Sequence, residues 1–277
     1  MFLEIAKKIT RKGDAFIEKN GIRNFHKASA ELLAASEIHK HFNVEEIVGS
    51  VFSGKTPQHF KSLEFSDLPV TVAQGKNCFI DIYFWRRRPT VIHNHHFAGS
   101  FMCLLGNNVD LEFTFTKERT IGKYHQLGKL ELKQTRNIQS GHIAEIAFLD
   151  KFIHQNHHQA DLTVNLCFRT PQKPGKSLAN YLFSGLRYEK NVDLMGRVAR
   201  LQKFIDLDVV DIGKSRITND DAIHFLIMTS GSERGNPKFI ELRKQLNKRV
   251  KNECGIDIDK LIRDHDTKME EIENEYE

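Results

Sequence analysis

The sequence predicts an α+β fold: an antiparallel β barrel of jelly-roll type, flanked by helical segments at both ends. Three observations predict it. Between residues 67 and 190, short runs rich in Val, Ile, Phe and Tyr recur, with Gly, Asn or Pro between them and no helical period; this is the signature of short antiparallel strands. On either side, residues 1–66 and 191–277 carry apolar positions at helical spacing. The 277 residues are 40% hydrophobic and include 20 Phe, so a substantial aromatic core can be buried.

The elements follow in order. In residues 1–66, Phe2, Ile5, Ile9, Phe16 and Ile17 suit a helix, with an interruption expected at Gly13 and a stop at Asn20-Gly21. Ala28 to Ile38 is rich in the strong helix formers Ala, Leu and Glu. Asn43, with Glu46 three residues on, reads as a capping box. Gly49 to Thr56 matches the string of a phosphate-binding loop, but Pro57 follows it and no strand precedes it, so a surface loop is expected.

The barrel segment, 67–190, has strand-like runs at Phe79 to Trp85, Ser100 to Leu105, Val109 to Thr116 and Leu127 to Gln134. Others are His142 to Leu149, Leu162 to Arg169 and Tyr181 to Tyr188. Gly106-Asn107-Asn108 is a turn between two of them. In residues 191–277, Asp193 is placed to cap a helix carrying Leu194, Val198, Leu201, Phe204 and Ile205, and Thr218 to cap one carrying Ile223, Leu226 and Ile227. Asn236-Pro237 opens a third helix with a basic polar face. The acidic end from Met269 onward is expected to fray.

Composition excludes several functions. A net charge of +5 is too small to name a nucleic-acid partner. No window approaches the ~20 apolar residues of a membrane-spanning helix. Glu4, Lys7 and Lys8 stand where a signal peptide would need its apolar core. Cys78, Cys103, Cys167 and Cys254 are far apart and form no CxxC pair. These features predict a cytoplasmic protein with reduced, mostly buried thiols.

The chemistry sits on histidine, of which there are 14. In Ile92-His93-Asn94-His95-His96, strand alternation points His93 and His95 the same way, with Cα atoms about 6.6 Å apart, and His96 the other way. Two imidazoles on one strand can converge on one ion and need a third ligand from another strand. The candidates are His154, His157 and His158; His154, after the apolar pair Phe152-Ile153, ranks first. Neutral imidazoles suit Fe(II), Zn(II), Ni(II) or Cu(II). Glu145 is a candidate fourth ligand, Tyr83, Tyr181 and Tyr188 are candidate acids, and His125 and His142 are expected to be solvated.

Residues 79–106 resemble the first motif of the cupin superfamily, in which a strand offers H-x-H and a Gly closes the following turn. The likeness is to the thiol dioxygenase branch, typified by cysteine dioxygenase: Phe79 to Trp85, an apolar strand ending in Trp, leads to Ile92-His93-Asn94-His95, followed by Gly99-Ser100-Phe101. His154, then Leu162 to Thr170 with Pro171, is similar in outline to the second motif. The resemblance covers about residues 70–190 and implies that His93, His95 and His154 bind one Fe(II), with Zn, Ni or Mn as other fillings. It implies an oxygenase whose partners are O₂ and a small polar or anionic molecule.

The departures concern the substrate. The clamping Arg of that branch would fall at Asp67-Leu68-Pro69-Val70, where there is none. The Tyr position after the third His looks like Arg169, or Phe168 one residue earlier, and the cross-linking Cys corresponds to Ser100. Arg169, which shares a strand face with Asn165 and Cys167, is therefore the candidate catalytic and anion-binding residue, with Trp85 and Ser100 as further substrate contacts. A structural ion pair is the alternative role for Arg169, and a solvated loop the expected one for Arg86 to Arg88. Two other functions stay open: a non-catalytic ligand-binding or regulatory barrel, and a metal-dependent hydrolase or isomerase. The C-terminal helices could form a lid or a homodimer contact.

Overall fold

Alternation and helical period resolve into definite elements in the computed structural model, which describes every residue except 55–57, 59–65, 173–177, 207–216, 231–236 and 277. The helices are α1 (Phe2–Asn20), α2 (Phe25–Ser36), α3 (Val44–Phe52), α4 (Val192–Asp206), α5 (Asn219–Met228), α6 (Pro237–Cys254) and α7 (Ile258–Tyr276). The first strands are β1 (Leu68–Gln74), β2 (Phe79–Arg86), β3 (Ile92–His95), β4 (Gly99–Leu105), β5 (Asn107–Thr120) and β6 (His125–Gln139). The rest are β7 (Ile143–Ile146), β8 (Leu149–His158), β9 (Leu162–Arg169), β10 (Ala179–Tyr181) and β11 (Leu186–Glu189). The class is α+β, an antiparallel β barrel with helices, as the sequence predicts. The chain divides into two units: Met1–Phe113, Leu132–Lys176 and Tyr276–Glu277 form the first, and Thr114–Glu131 with Ser177–Glu275 the second.

In the first unit, a five-stranded antiparallel sheet has the order β1-β2-β9-β4-β7. Its two faces are both apolar but different. Ile80, Ile82, Met102, Leu104, Val164, Leu166 and Phe168 meet the helices, where Phe2, Ile9, Phe25 and Leu33 complete a core. Tyr83, Trp85, Phe101, Cys103 and Cys167 point the other way, into a second cluster with Phe97, Ile146 and Phe152. That cluster is closed by a second ladder, in which β3 and β5 each pair antiparallel with β8.

Helix α1 is continuous through Gly13, where the sequence suggests an interruption. The glycine is required for contact rather than for bending: a Cβ there would lie 2.5 Å from the Phe168 ring and 2.9 Å from Cys78 Sγ. The capping box at α3 is half present. Asn43 accepts from the Glu46 amide at 2.7 Å, but the Glu46 carboxylate instead accepts from the Met1 ammonium and the Phe2 and Leu3 amides, capping α1. Gly49 is inside α3; Lys55 to Pro57 lie outside the described residues.

The second unit packs α4, α5, α6 and α7 around Val198, Phe225, Leu226, Phe239, Leu242, Leu246 and Ile258. Thr218 and Asp221 make a complete capping box at α5. Asn191, not Asp193, caps α4, its side chain accepting from the Leu194 amide at 3.0 Å; an Asx at the cap leaves Asp193 in the first turn, where its charge suits the helix dipole. Pro237 is the first residue of α6, and Asn236 is outside the described residues. Helix α7 runs to Tyr276, through the segment where the sequence suggests fraying. His125 is a further correction: it is fully buried, and its Nδ1 lies 2.7 Å from Asp220 Oδ1, so a carboxylate takes the place of solvent.

No helix among the described residues is long and apolar enough to cross a membrane. All four cysteines are free, and Cys78, Cys103 and Cys167 are buried.

Candidate metal centre

Three imidazoles meet inside the first unit. Strand β3 supplies His93 and His95 from alternate positions, and β8 supplies His154, directly opposite His93 in the ladder. All three are 3% exposed. One ring nitrogen from each lies within 4.8 Å of the other two, and His95 Nε2 is 2.9 Å from His154 Nε2. Nitrogens held about 2.0–2.1 Å from one ion, at roughly a right angle, stand about 3 Å apart.

The outer nitrogens decide which way the lone pairs face. His93 Nδ1 is 2.8 Å from the Val91 carbonyl, which can only accept, so the proton is on Nδ1. His154 Nδ1 donates to Asp110 Oδ1 at 2.7 Å. Both rings therefore have Nδ1 engaged on the outside and turn Nε2 inward, the arrangement that orients histidine ligands in metal sites. Burial, followed by the neighbouring His93 and His154, holds the His95 pKa well below its usual value, so that ring stays neutral. Burial alone would raise the pKa of Asp110, but His154 and Arg136 reverse this and the net shift is downward. The Arg136–Asp110 contact is 2.5 Å, and Asp110 is a charged anchor behind His154. Three pre-oriented imidazoles with a carboxylate behind one of them fit a borderline divalent ion such as Fe(II) or Zn(II).

The rings open onto a cavity of about 30 Å³, lined also by Tyr83, Trp85, Phe97, Phe101, Asn165 and Cys167. Trp85 is thus at the cavity, and the His158 ring is stacked on it with centroids 4.8 Å apart. Burial pushes the Cys167 thiol up to about 12, so it is not a thiolate. Burial also raises the Tyr83 hydroxyl well above the usual phenol; it donates to Asp81 Oδ2 at 3.0 Å.

The other expected residues lie elsewhere. Arg169 shares the inward face with Asn165 and Cys167, but its guanidinium is paired with Asp81 at 2.9 Å and lies over the Phe79 and Phe97 rings at 4.1 and 5.0 Å. It does not line the cavity. Ser100 is buried on the opposite face of β4, with Met102 and Leu104 on the helix side; strand parity, which brings Phe101 to the cavity, turns Ser100 away from it. Glu145 is half exposed, with His26 Nε2 3.8 Å away, and is not at the centre. His157 and His158 are buried but outside the cluster. Arg88 pairs with Asp67 at 3.1 Å, over the outer loop. Asp110, Phe97 and Phe101 are site residues that the sequence reading does not single out.

No known protein family matches the sequence, and no curated protein does. Among solved structures, parts of the chain are similar to the DMSP lyase DddQ from Ruegeria pomeroyi, at 9% identity and TM-score 0.29, over 40% of this chain and 49% of that one. A cupin 2 conserved barrel domain protein from Rhodopseudomonas palustris matches at 11% identity and TM-score 0.29, over 49% and 72%. Hydroquinone 1,2-dioxygenase PnpCD, in complex with Cd²⁺ and 4-hydroxybenzonitrile, matches at 8% identity and TM-score 0.29, over 38% and 63%. The chain thus spans about half the length of the lyase it matches.

Proposed function

We propose that the protein is a cupin-type, mononuclear metal-dependent oxygenase acting on a small polar molecule. The carrying observation is the convergence of His93, His95 and His154 on one point, with the Nδ1 protons of two of them already committed. His93, His95 and His154 would hold Fe(II), which when bound supplies the place where O₂ and substrate are activated. The likeness of Phe79 to His95 to the cysteine dioxygenase branch supports the choice of iron and of oxygenase chemistry.

The chain's own residues do the rest. Val91 and Asp110 fix the tautomers of His93 and His154, so no reorientation is needed on binding. Trp85, Phe97 and Phe101 give the cavity an apolar wall, beside which polar contacts are stronger than in water. Tyr83 retains its proton against Asp81. The expectation of an anionic substrate rests on Arg169; with that guanidinium committed to Asp81, the reading narrows to a polar substrate.

Two measurements test this. Metal analysis of protein purified without chelators should find one ion per chain, lost in His93→Ala and His95→Ala while circular dichroism is unchanged; metal retained in both variants removes the proposal. Oxygen uptake on adding Fe(II) and a panel of small polar molecules should then appear. Metal without any uptake would leave Lewis-acid chemistry on the same barrel.

A further inference from the structure

We infer that Asn165 is the substrate-anchoring residue of this cavity, and that the molecule bound there presents an N–H or O–H donor to it from an otherwise apolar body. The inference rests on the metal reading above and specifies what sits beside the ion.

The cavity wall is mostly aromatic and aliphatic, and among the described residues no Lys, Arg, Asp or Glu side chain lines it. Apart from the three imidazoles, its other hydroxyl and amide side chains are already engaged. Thr90 Oγ1 accepts from the Asn156 amide at 3.0 Å. Asn156 Oδ1 accepts from Asn108 at 2.7 Å. The Tyr83 hydroxyl is given to Asp81. Asn165 differs: it is 5% exposed, and its Oδ1 is buried with no hydrogen-bond partner among the described residues. Burying an amide oxygen with no protein donor costs its desolvation penalty. A bound donor recovers that loss, so the cavity favours molecules that supply one.

Position supports the role. Asn165 stands at the centre of β9, opposite Tyr83 on β2 and Cys103 on β4. Its backbone is therefore held on both sides by the sheet, and the side chain is presented from a rigid element rather than a loop.

Imidazole and 1-methylimidazole make the test, on Co(II)-loaded protein followed by its visible absorption. Both coordinate an open metal position through one nitrogen, but only imidazole keeps an N–H on its far side. Native protein should bind imidazole about three- to tenfold more tightly, the worth of one neutral hydrogen bond. Asn165→Leu, similar in volume, should keep the cobalt stoichiometry and bring the ratio to about one. Asn165→Asp, which keeps an acceptor oxygen at the same place, should preserve the preference. The same ratio in native and Asn165→Leu protein, with cobalt bound in both, overturns the role of Asn165 and leaves the metal reading standing. Failure of the native protein to take up cobalt overturns the metal reading, and this inference with it.

Discussion

Removing the Arg169 guanidinium should unfold the first unit more readily, before it does anything specific to catalysis. Arg169 and Asp81 are 5% and 1% exposed, and Asp81 also accepts from Thr71 Oγ1 at 2.8 Å and from the Tyr83 hydroxyl at 3.0 Å. Arg169→Met keeps the aliphatic packing against Phe79 and Phe97 but strands a buried carboxylate. Breaking a buried pair from one side costs about 3–5 kcal/mol. Asp81→Leu, which strands the cation instead, should cost a similar amount. The double variant leaves neither charge, so its loss should be well short of the sum, with a coupling of about 2 kcal/mol or more. Urea denaturation followed by Trp85 fluorescence measures all three, with metal content read in parallel. If Arg169→Met instead unfolds within about 1 kcal/mol of native protein while KM rises sharply, the guanidinium serves substrate, and its pairing with Asp81 does not hold the sheet together.

Other predictions concern single contacts. Asp110→Asn removes the charge behind His154 and should weaken metal binding about 10–100-fold in chelator competition; unchanged affinity would show that the anchor is idle. His224, buried in α5, has its pKa lowered to about 4, chiefly by burial and then by His125. An unfolded His takes its proton near pH 6.5 and the folded one only near 4, so stability should fall as pH drops through that interval, by about 3 kcal/mol in all. His224→Leu should flatten that part of the stability–pH curve measured by helical circular dichroism, and an unaltered slope would assign it to another group. Gly13→Ala should lower the thermal midpoint, because a crowded core costs about 1–3 kcal/mol and the helical gain is at most about 1 kcal/mol; a raised midpoint would mean that Phe168 yields.

Much of the candidate centre is visible in local pattern. His93 and His95 share a strand face by the period of two, and the same rule places Asn165, Cys167 and Arg169 together, opposite Val164, Leu166 and Phe168. Parity says nothing of what stands beyond the face. For Arg169 a ligand contact and a structural ion pair are both open until Asp81, 88 positions earlier in the chain, is set two residues along β2 from Phe79, the register partner of Arg169. Asp110, in the alternating run Val109-Asp110-Leu111-Glu112-Phe113, is fully buried, with His154 Nδ1 and the Arg136 guanidinium hydrogen-bonded to its carboxylate. His125 is misread, its buried ring being satisfied by Asp220.

The sequence by itself determined the class of fold, the strand that carries two histidines, and the helix starts at Thr218 and Pro237, because alternation, period and capping act over a few neighbouring residues. Only the tertiary structure decided that His154 faces His93, that Arg169 is spent on Asp81, that Ser100 turns to the helices, and that Asn165 keeps an unanswered oxygen in the cavity. Those outcomes depend on strand register and on which charge desolvates beside which partner, and both are set between segments tens of residues apart.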